Sequence, residues 1–557
     1  MNRDITTMNQ AALVLAVFSL LSQLFGLLRD RLLASMVGPS AALDVYYAAF
    51  RIPDFIYVSV ASLFSVTVII PFITGYLDEK DTGKAASLKK FSDTLFTVYC
   101  AGMVMVCIVA AVLMPYLTRL TAPGFSAVQH ADLILYSRIM LLSAFLMGLS
   151  SLLGSFAQVQ KKFFSFAIAP LFYNLGILMG VIVLLPILGI FGVVIGVVVG
   201  AALYMVVQLP TLITLGKLPV FTRTLDLPLI KQVILLSIPR TLAMSLTNLT
   251  MLMMSAVASL LVAGSISIFQ LSYNIETAPL MIIGISYAVA AFPTMTRLFM
   301  DGQKKEFVDL IHRATRNIFF LSVPAAILII VLRAQIVRVL LGAGVFSWND
   351  TRLVAASVAL FCLSVTAQCM ILLLVRGFYA AGNTKTPLFI NAYSVLITIG
   401  SLGVLLLCFR EFPLFKDFLE NLLRIDGASG TSVVLLPLAF SIGQIANAIF
   451  LWTQFHNHLE GHKSETTELG RALFHTVGAG IIAGTSAYGM LLLLGSGIDQ
   501  EHFLGVFVQG TVAGIVGVSM YGITLMAMRN EDIVLFIETV RSKFWKQKPL
   551  TPEQPEL

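Results

Sequence analysis

Long apolar runs, each of about twenty residues, recur from residue 10 almost to the end of this chain. A helix of that length crosses a hydrocarbon core of about 30 Å. Charged residues make up only 12% of the 557 positions, whereas soluble domains carry about 25%. The chain is therefore predicted to be an all-α polytopic membrane protein, which excludes a soluble enzyme.

The apolar runs predict fourteen transmembrane helices. The predicted spans are 10–36, 43–75, 91–115, 133–158, 163–187, 189–215, 230–262, 265–297, 314–340, 353–379, 386–410, 430–456, 471–495 and 502–528. Because fourteen is even, both termini are expected on one side of the membrane. The termini and the loops on that side hold 23 lysines and arginines, against 7 in the opposite loops. Since positive charge is retained in the cytoplasm, both termini are predicted to be cytoplasmic.

An internal repeat is the most informative feature of the sequence. GPSAALDVYYAAFRIP at 38–53 matches GSISIFQLSYNIETAP at 264–279, and three further landmarks follow in the same order at an offset of about 222–226 residues. The offset spans six predicted helices, so the two copies have the same orientation in the membrane. The predicted domains are a first six-helix lobe at 1–215, a cytoplasmic linker at 216–229, a second six-helix lobe at 230–456, a terminal helix pair at 457–528 and a cytoplasmic tail, amphipathic and then disordered, at 529–557.

Prolines occupy paired positions in the two copies. Pro53 and Pro71 lie in the second span, and Pro279 and Pro293 lie in the eighth. A proline inside a helix frees a carbonyl and bends the chain. Duplicated bundles with a site between them suit alternating access, in which one half rocks against the other. The prolines are either packing kinks or hinges, and their pairing favours a mechanical role.

Charged residues inside the predicted spans are candidates for function, because a charge in the membrane faces a partner or a wet cavity. Those that we single out are Arg29, Arg31, Arg51, Arg138, Arg240, Arg376, Asp30, Asp44 and Glu276. Arg31 and Arg138 are interpreted as structural, since both can reach a membrane interface.

Arg29, Asp44 and Arg51 are predicted to form a cluster across the first two spans. Asp44 and Arg51 are seven residues apart and share a helical face, and Arg29 is expected to meet one of them. Arg29 and its neighbour Asp30 are not expected to pair, because adjacent positions do not face each other on a helix. The cluster is either an anion-binding surface, since arginine binds phosphate in a bidentate manner, or a self-satisfied ion pair.

Several long motifs resemble the MurJ/MviN family, the lipid II flippases of the MOP transporter superfamily. They include SQLFGLLRDRLLASMVGPSAALDVYYAAFRIPD at 22–54, FAIAPLFYNLGIL at 166–178, LLGAGVFSWNDTRLVAASVAL at 340–360 and VRGFYAAGNTKTPL at 375–388. The resemblance covers residues 10–456 in order. It implies a multi-pass protein of the bacterial inner membrane that flips a polyprenyl-pyrophosphate-linked cell-wall precursor to the outer leaflet. The diphosphate would bind in a cationic cavity, and the lipid tail would follow a groove formed by the last two helices.

The resemblance carries over residue by residue. Arg29 and Asp30 match the family's Arg-Asp pair, Asp44 matches its following Asp, and Arg51 matches the basic residue before the proline. The chain departs from the pattern where the family has charged residues, at Gln23, Tyr57, Val58, Ser62, Asn274 and Thr277, with Glu276 beside the last. Leu63 stands where the family has the glycine that follows its glutamate. Substrate contacts are therefore assigned to Arg29, Asp44, Arg51, Gln23, Asn274 and Glu276. Structural or gating roles are assigned to Asp30, Pro53, Pro279, Arg240 and Arg376.

Three functional hypotheses follow. The first is a flippase for lipid II or a related lipid-linked sugar, working by alternating access. The second is an ion-coupled exporter of small amphipathic molecules, as in the related MATE branch. The third is a non-transporting membrane scaffold derived from a flippase. We expect no enzymatic activity, catalytic residue, cofactor or metal site. The expected partners are the lipid-linked oligosaccharide, membrane lipids and a coupling ion, with no nucleic acid, and the chain is expected to be a monomer.

Two segments have the pattern of helices that lie on a membrane surface. Residues 411–424 place Phe412, Phe415, Phe418 or Leu419, and Leu422 on one helical stripe, and residues 531–545 show a similar pattern. Both are predicted to lie at the lipid headgroups without a protein partner.

Overall fold

The computed structural model describes residues 8–61, 82–159, 163–214, 218–457, 466–495, 502–530, 532–534 and 538. These residues are helices joined by short turns and loops, which confirms the all-α prediction. Pro71 and most of the predicted tail lie outside the described residues.

The helices are long and follow one another closely. Up to residue 258 they are α1 (Met8–Met36), α2 (Ala41–Ala49), α3 (Arg51–Ala61), α4 (Thr82–Thr121), α5 (Ala127–Val159), α6 (Phe163–Met179), α7 (Leu185–Leu188), α8 (Ile190–Val206), α9 (Leu209–Thr214) and α10 (Leu227–Ala258). The later ones are α11 (Ser265–Pro279), α12 (Ser286–Met300), α13 (Lys304–Val331), α14 (Arg333–Leu341), α15 (Trp348–Cys362), α16 (Val365–Ala380), α17 (Lys385–Glu411), α18 (Pro413–Leu423), α19 (Leu435–Phe455), α20 (Thr466–Gly495) and α21 (Phe503–Ala527).

Within the described residues, ten helices are long and apolar enough to cross a membrane. The pair α15 and α16, which is bent by 44°, gives an eleventh span if it is counted as one. Two of the other three predicted spans, 10–36 and 230–262, coincide with α1 and α10. In the span 43–75 the described part ends at Ala61, and it contains α2 and α3. The chain is thus a multi-pass membrane protein, and the count of fourteen spans stays a prediction.

The helices form two compact units. The first contains Met1–Thr277, Val337–Phe361 and Gly382–Leu451, and the second contains Ala278–Ile336, Cys362–Ala381 and Trp452–Leu557. The lobes 1–215 and 230–456 were predicted from the sequence repeat. Because the two compact units are defined by packing and not by duplication, they do not test those lobes, which stay a prediction.

A glycine seam joins α6, and the π-helical segment Gly180–Leu184 that continues it, to α8 in the first unit. A Cβ atom on Gly176 would lie 2.2 Å from Gly200 Cα, and one on Gly180 would lie 2.7 Å from Gly196 Cα. Because glycine has no side chain, the two backbones can approach this closely, as at other small-residue contacts between membrane helices. The two helices therefore pack backbone to backbone.

Three of the four paired prolines lie in the described residues. Pro293 lies inside α12, whereas Pro53 and Pro279 coincide with irregular helix. The boundary between α2 and α3 falls at Phe50, three residues before Pro53. Pro279 ends α11, and a π-helical segment, Leu280–Ile285, follows it. A proline removes one hydrogen bond and crowds the carbonyl four residues earlier, which accounts for an interruption at these places. Their role as hinges stays a prediction.

The glycine seam gives a first prediction. We expect Gly176→Ala to lower the thermal unfolding temperature of the purified protein, since the added methyl group must push α8 away and overpacking costs about 1–3 kcal/mol. Gly102→Ala is the matched control, because a Cβ atom at that position meets nothing within 4 Å and alanine favours helix. Equal unfolding temperatures for the two variants would show that the seam tolerates a side chain.

Candidate functional site

A row of hydrogen-bonded polar side chains crosses the first unit between α1, α11 and α3. Arg29 Nη2 lies 2.8 Å from Asp30 Oδ1, and Asn274 Nδ2 donates to Asp30 Oδ2 at 2.8 Å. Gln270 Nε2 donates to Asn274 Oδ1 at 2.7 Å, and Arg51 Nη2 donates to Gln270 Oε1 at 2.7 Å. These five residues, here called the polar row, come from both copies of the predicted repeat.

The pairing of Arg29 with Asp30 corrects the sequence analysis. Arg29 Nε also donates to Asp30 Oδ1, at 2.9 Å, so the expectation that these neighbours cannot pair is wrong. The spacing rule compares Cβ directions, whereas the long arginine side chain curls around the helix to reach the short aspartate. Asp30 is buried, and a buried carboxylate requires such partners.

Asp54 lies one helical turn after Arg51 on α3, and it is exposed to solvent. Tyr46, Tyr57 and Tyr173 are close enough to interact electrostatically with its carboxylate. A carboxylate that is surrounded by side chains of several membrane-spanning helices, and is still exposed, faces a wet cavity. The polar row therefore borders water through Arg51 and Asp54.

The charges of the polar row and Asp54 balance. The positive charges of Arg29 and Arg51 are matched by the negative charges of Asp30 and Asp54. Arg29 is paired directly, whereas Arg51 donates to a neutral amide. Arg51 Nε is buried and has no hydrogen-bond partner among the described residues. Of the two arginines, Arg51 thus has more capacity left to bind an anion.

Asp44 lies at the N-terminus of α11. Its carboxylate accepts hydrogen bonds from Gly264 N at 2.6 Å, Ser267 N at 2.8 Å and Ser267 Oγ at 2.6 Å. The first amides of a helix lack partners within the helix, and an anion there is favoured by the helix dipole. Asp44 therefore caps α11 and does not pair with Arg29.

Further contacts close the same end of the first unit. Val345 N donates to Ser35 O at 2.9 Å. Gly264, at φ +94°, brings its backbone so close that a Cβ atom would lie 3.0 Å from Pro39 O. Only glycine adopts that conformation readily. Ser35, Pro39, Asp44, Gly264 and Val345 are here called the closed end.

The remaining predicted site residues are dispersed. Gln23 lies on α1, seven residues before Asp30 and so on the same helical side. Glu276 is buried on α11, and Pro53 is buried on α3. In the second unit, Arg376 Nη1 donates to Ile285 O at 3.5 Å, at the end of the π-helical segment. Arg240 lies on α10, but its side chain is outside the described part of the chain.

The two residues interpreted as structural do make structural contacts. Arg31 Nη1 donates to Val339 O, and Arg138 Nε donates to Ala111 O at 2.9 Å. Both contacts tie a helix to a backbone carbonyl of another helix. They do not join the polar row.

Two residues of the site were missed by the sequence analysis. Gln270 occupies the position that matches Asp44 in the repeat, so the alignment of 38–53 with 264–279 could have drawn attention to it. Asp54 follows Pro53 inside the second predicted span, and it is a charge in the membrane by the same criterion as the others. An amide carries no such signal, because uncharged polar residues are common in membrane helices.

Comparison with known proteins gives consistent matches. A family model described as lipid II flippase MurJ matches residues 33–508. The probable lipid II flippase MurJ of Rhizobium tropici is 29% identical over 414 residues, which cover 71% of this chain and 74% of the relative. The lipid II flippase MurJ of Burkholderia cenocepacia is 26% identical over 398 residues, covering 70% and 76%.

Solved structures show the same fold. The structure titled lipid II flippase MurJ, inward closed conformation, has a TM-score of 0.72 at 18% identity and covers 92% of this chain and 100% of its own. An inward-facing multidrug resistance MATE family transporter of the MOP superfamily has a TM-score of 0.62 at 14% identity, covering 81% and 100%. Because the family model spans most of the sequence, this chain belongs to the lipid II flippase MurJ family.

Proposed function

We propose that this protein flips a polyprenyl-diphosphate-linked cell-wall precursor, lipid II or a related lipid-linked sugar, from the inner to the outer leaflet of the bacterial cytoplasmic membrane. Its termini are cytoplasmic, and it works by alternating access as a monomer. The observation that carries the proposal is the polar row with its exposed edge at Asp54. Charged groups persist in membrane-spanning helices where they line a substrate path, and the names of the relatives support lipid II as the substrate.

In this proposal the diphosphate binds at Arg51. A guanidinium donates parallel hydrogen bonds to phosphate oxygens, and such charge-assisted bonds are about twice as strong as neutral ones. Arg51 Nε makes no hydrogen bond among the described residues, and the bond from Arg51 Nη2 to Gln270 is to a neutral acceptor that an anion can displace. Arg29 supports the site through its positive potential while it stays paired with Asp30. Gln23, Asn274 and Glu276 complete the proposed substrate surface.

The lobes 1–215 and 230–456 move against each other in the proposed cycle. The closed end holds residues of both lobes together, so opening it must break the bonds from Asp44 to the N-terminus of α11. Pro53 and Pro279 are the proposed hinges, and Arg240 and Arg376 have proposed structural or gating roles. The terminal pair at 457–528 provides a groove for the lipid tail, and an ion gradient or the membrane potential supplies the energy.

Genetic complementation tests the flippase proposal. The wild-type chain is expected to support growth of a strain depleted of its own lipid II flippase. Arg51→Ala and Arg29→Ala are expected to abolish growth at equal expression, because each removes a cation from the site. Arg138→Ala is the control and should retain growth, since its contact to Ala111 O lies away from the polar row. Retained growth of both site variants would contradict the proposed cavity.

Cross-linking tests alternating access. A double variant with Ser35→Cys and Val345→Cys places two thiols where Val345 N already bonds to Ser35 O. A short bifunctional thiol reagent is expected to abolish flipping of a lipid-linked substrate in proteoliposomes, and a cleavable reagent should allow recovery on reduction. Ser35→Cys alone, treated in the same way, controls for labelling. Full transport by the cross-linked protein would show that this end does not need to open.

The charge balance of the site favours one alternative, export of small amphipathic molecules. A diphosphate carries several negative charges, and a site without net positive charge offers it little attraction. A cationic amphiphile would instead bind at the exposed carboxylate of Asp54.

Asp54→Asn separates the two activities. If the substrate is a diphosphate, the variant removes a negative charge one helical turn from Arg51, and complementation is expected to be retained or improved. If the substrate is a cationic amphiphile, the same variant should lose export and raise drug susceptibility. Asp350→Asn is the control, because Asp350 lies in the first turn of α15, where it accepts hydrogen bonds from Ser347 and takes no part in the polar row.

A further inference from the structure

Helix α18 divides into three sectors around its axis. Successive residues of an α-helix are rotated by about 100°, which places Leu414, Phe418 and Leu422 in one sector. Phe415, Leu419 and Leu423 follow in the next, and the third contains Lys416, Asp417, Glu420 and Asn421. The first two sectors are apolar, and the third is polar and charged.

The burial of the side chains follows these sectors. Leu419 and Leu423 are buried against the first unit, whereas Leu414, Phe418 and Leu422 are 85%, 61% and 60% exposed. Most of the polar sector is exposed as well. The helix thus meets protein on one side and presents both an apolar and a polar face outward, the arrangement of a helix in a membrane interface.

The exposed apolar sector is continuous with the membrane-facing side of α17. Val404 and Leu407, near the end of that span, are exposed, and so is Phe412, which links the two helices. A span of this length presents such a stripe to lipid. The continuity identifies lipid as the occupant of the exposed face of α18.

Arg352 fixes α18 to α15. Arg352 Nε donates to Arg424 O at 2.9 Å, and its Nη2 donates to Asp426 O at 2.9 Å. Arg424 has a positive φ of 60° and ends the helix, and its turn is closed by a bond from Ile425 N to Glu420 O. Two bonds from one planar guanidinium set direction as well as distance. The end of α18 is therefore held by a helix whose preceding loop contains Val345 of the closed end.

We propose that α18 is a lipid-anchored strut. Its Leu414, Phe418 and Leu422 sector binds the headgroup region of the membrane, and Arg352 transfers that anchoring to α15. The strut sets the depth of α15 in the membrane and so holds the loop that contacts Ser35. The proposal concerns the position of the helix and is independent of which substrate is carried.

Fluorescence quenching tests the lipid contact in the full-length chain. Single-cysteine variants of a cysteine-free protein are labelled with a small fluorophore at Leu414→Cys or Phe418→Cys, and at Asp417→Cys or Asn421→Cys as matched controls. In proteoliposomes, lipids with a nitroxide close to the headgroup should quench the first pair at least about twofold more than the second, and aqueous iodide should show the reverse order. Probes at 414 and 418 that neither quencher reaches would indicate a protein partner and overturn the proposal, as would equal quenching by iodide at all four positions.

Distance measurement tests the strut. Spin labels at Asn421→Cys and Trp348→Cys report the separation of α18 from α15 in the same liposomes. Arg352→Ala is expected to broaden that distance distribution, because the end of the helix loses its hydrogen bonds to the guanidinium. Arg410→Ala is the control, since Arg410 forms a salt bridge with Glu411, its exposed neighbour on the same helix. An unchanged distribution in Arg352→Ala would overturn the transfer of anchoring to α15.

Discussion

The carboxylate of Asp30 is the constraint on which the polar row depends. A charge that is buried among membrane-spanning helices costs several kcal/mol unless it is paired and hydrogen-bonded. Asp30 meets this requirement by sharing its two oxygens between Arg29 on its own helix and Asn274 on α11. The need to satisfy both oxygens fixes α1 against α11. The hydrogen bonds continue from Asn274 to Gln270 and from Gln270 to Arg51.

The two amides allow this chain to do without some of the arginines that the resemblance leads one to expect. An amide has both donors and an acceptor, so Asn274 can donate to a carboxylate and accept from Gln270 at once. An arginine at the same position would pair with Asp30 directly and compete with Arg29 for it. The neutral residues thus link the charged side chains into one hydrogen-bonded row. In that row the guanidinium of Arg51 is hydrogen-bonded to a neutral amide and not to a carboxylate.

The sequence was sufficient for those features that depend on many residues at once. Long apolar runs predicted the all-α membrane fold, and the motifs predicted the family. The local pairing was less accessible, because it depends on where single side chains reach. The Arg29–Asp30 pair was excluded by a rule about Cβ directions. Asp44 was grouped with arginines, although its carboxylate instead accepts hydrogen bonds from the first amides of α11. The connection of Arg51 to Gln270 requires contact between residues 219 positions apart, which no local pattern encodes.

The glycine seam has a mechanical consequence. Helices that pack through side chains can slide by small amounts, because rotamers adjust as ridges move over grooves. Where Gly176 meets Gly200 and Gly180 meets Gly196, there are no side chains to adjust, and an axial shift would drive the Cα atoms of one helix into the residues that flank the glycines of the other. The two helices are therefore expected to behave as a single rigid beam. Any bending during the transport cycle must then occur elsewhere, at interruptions such as the one between α2 and α3.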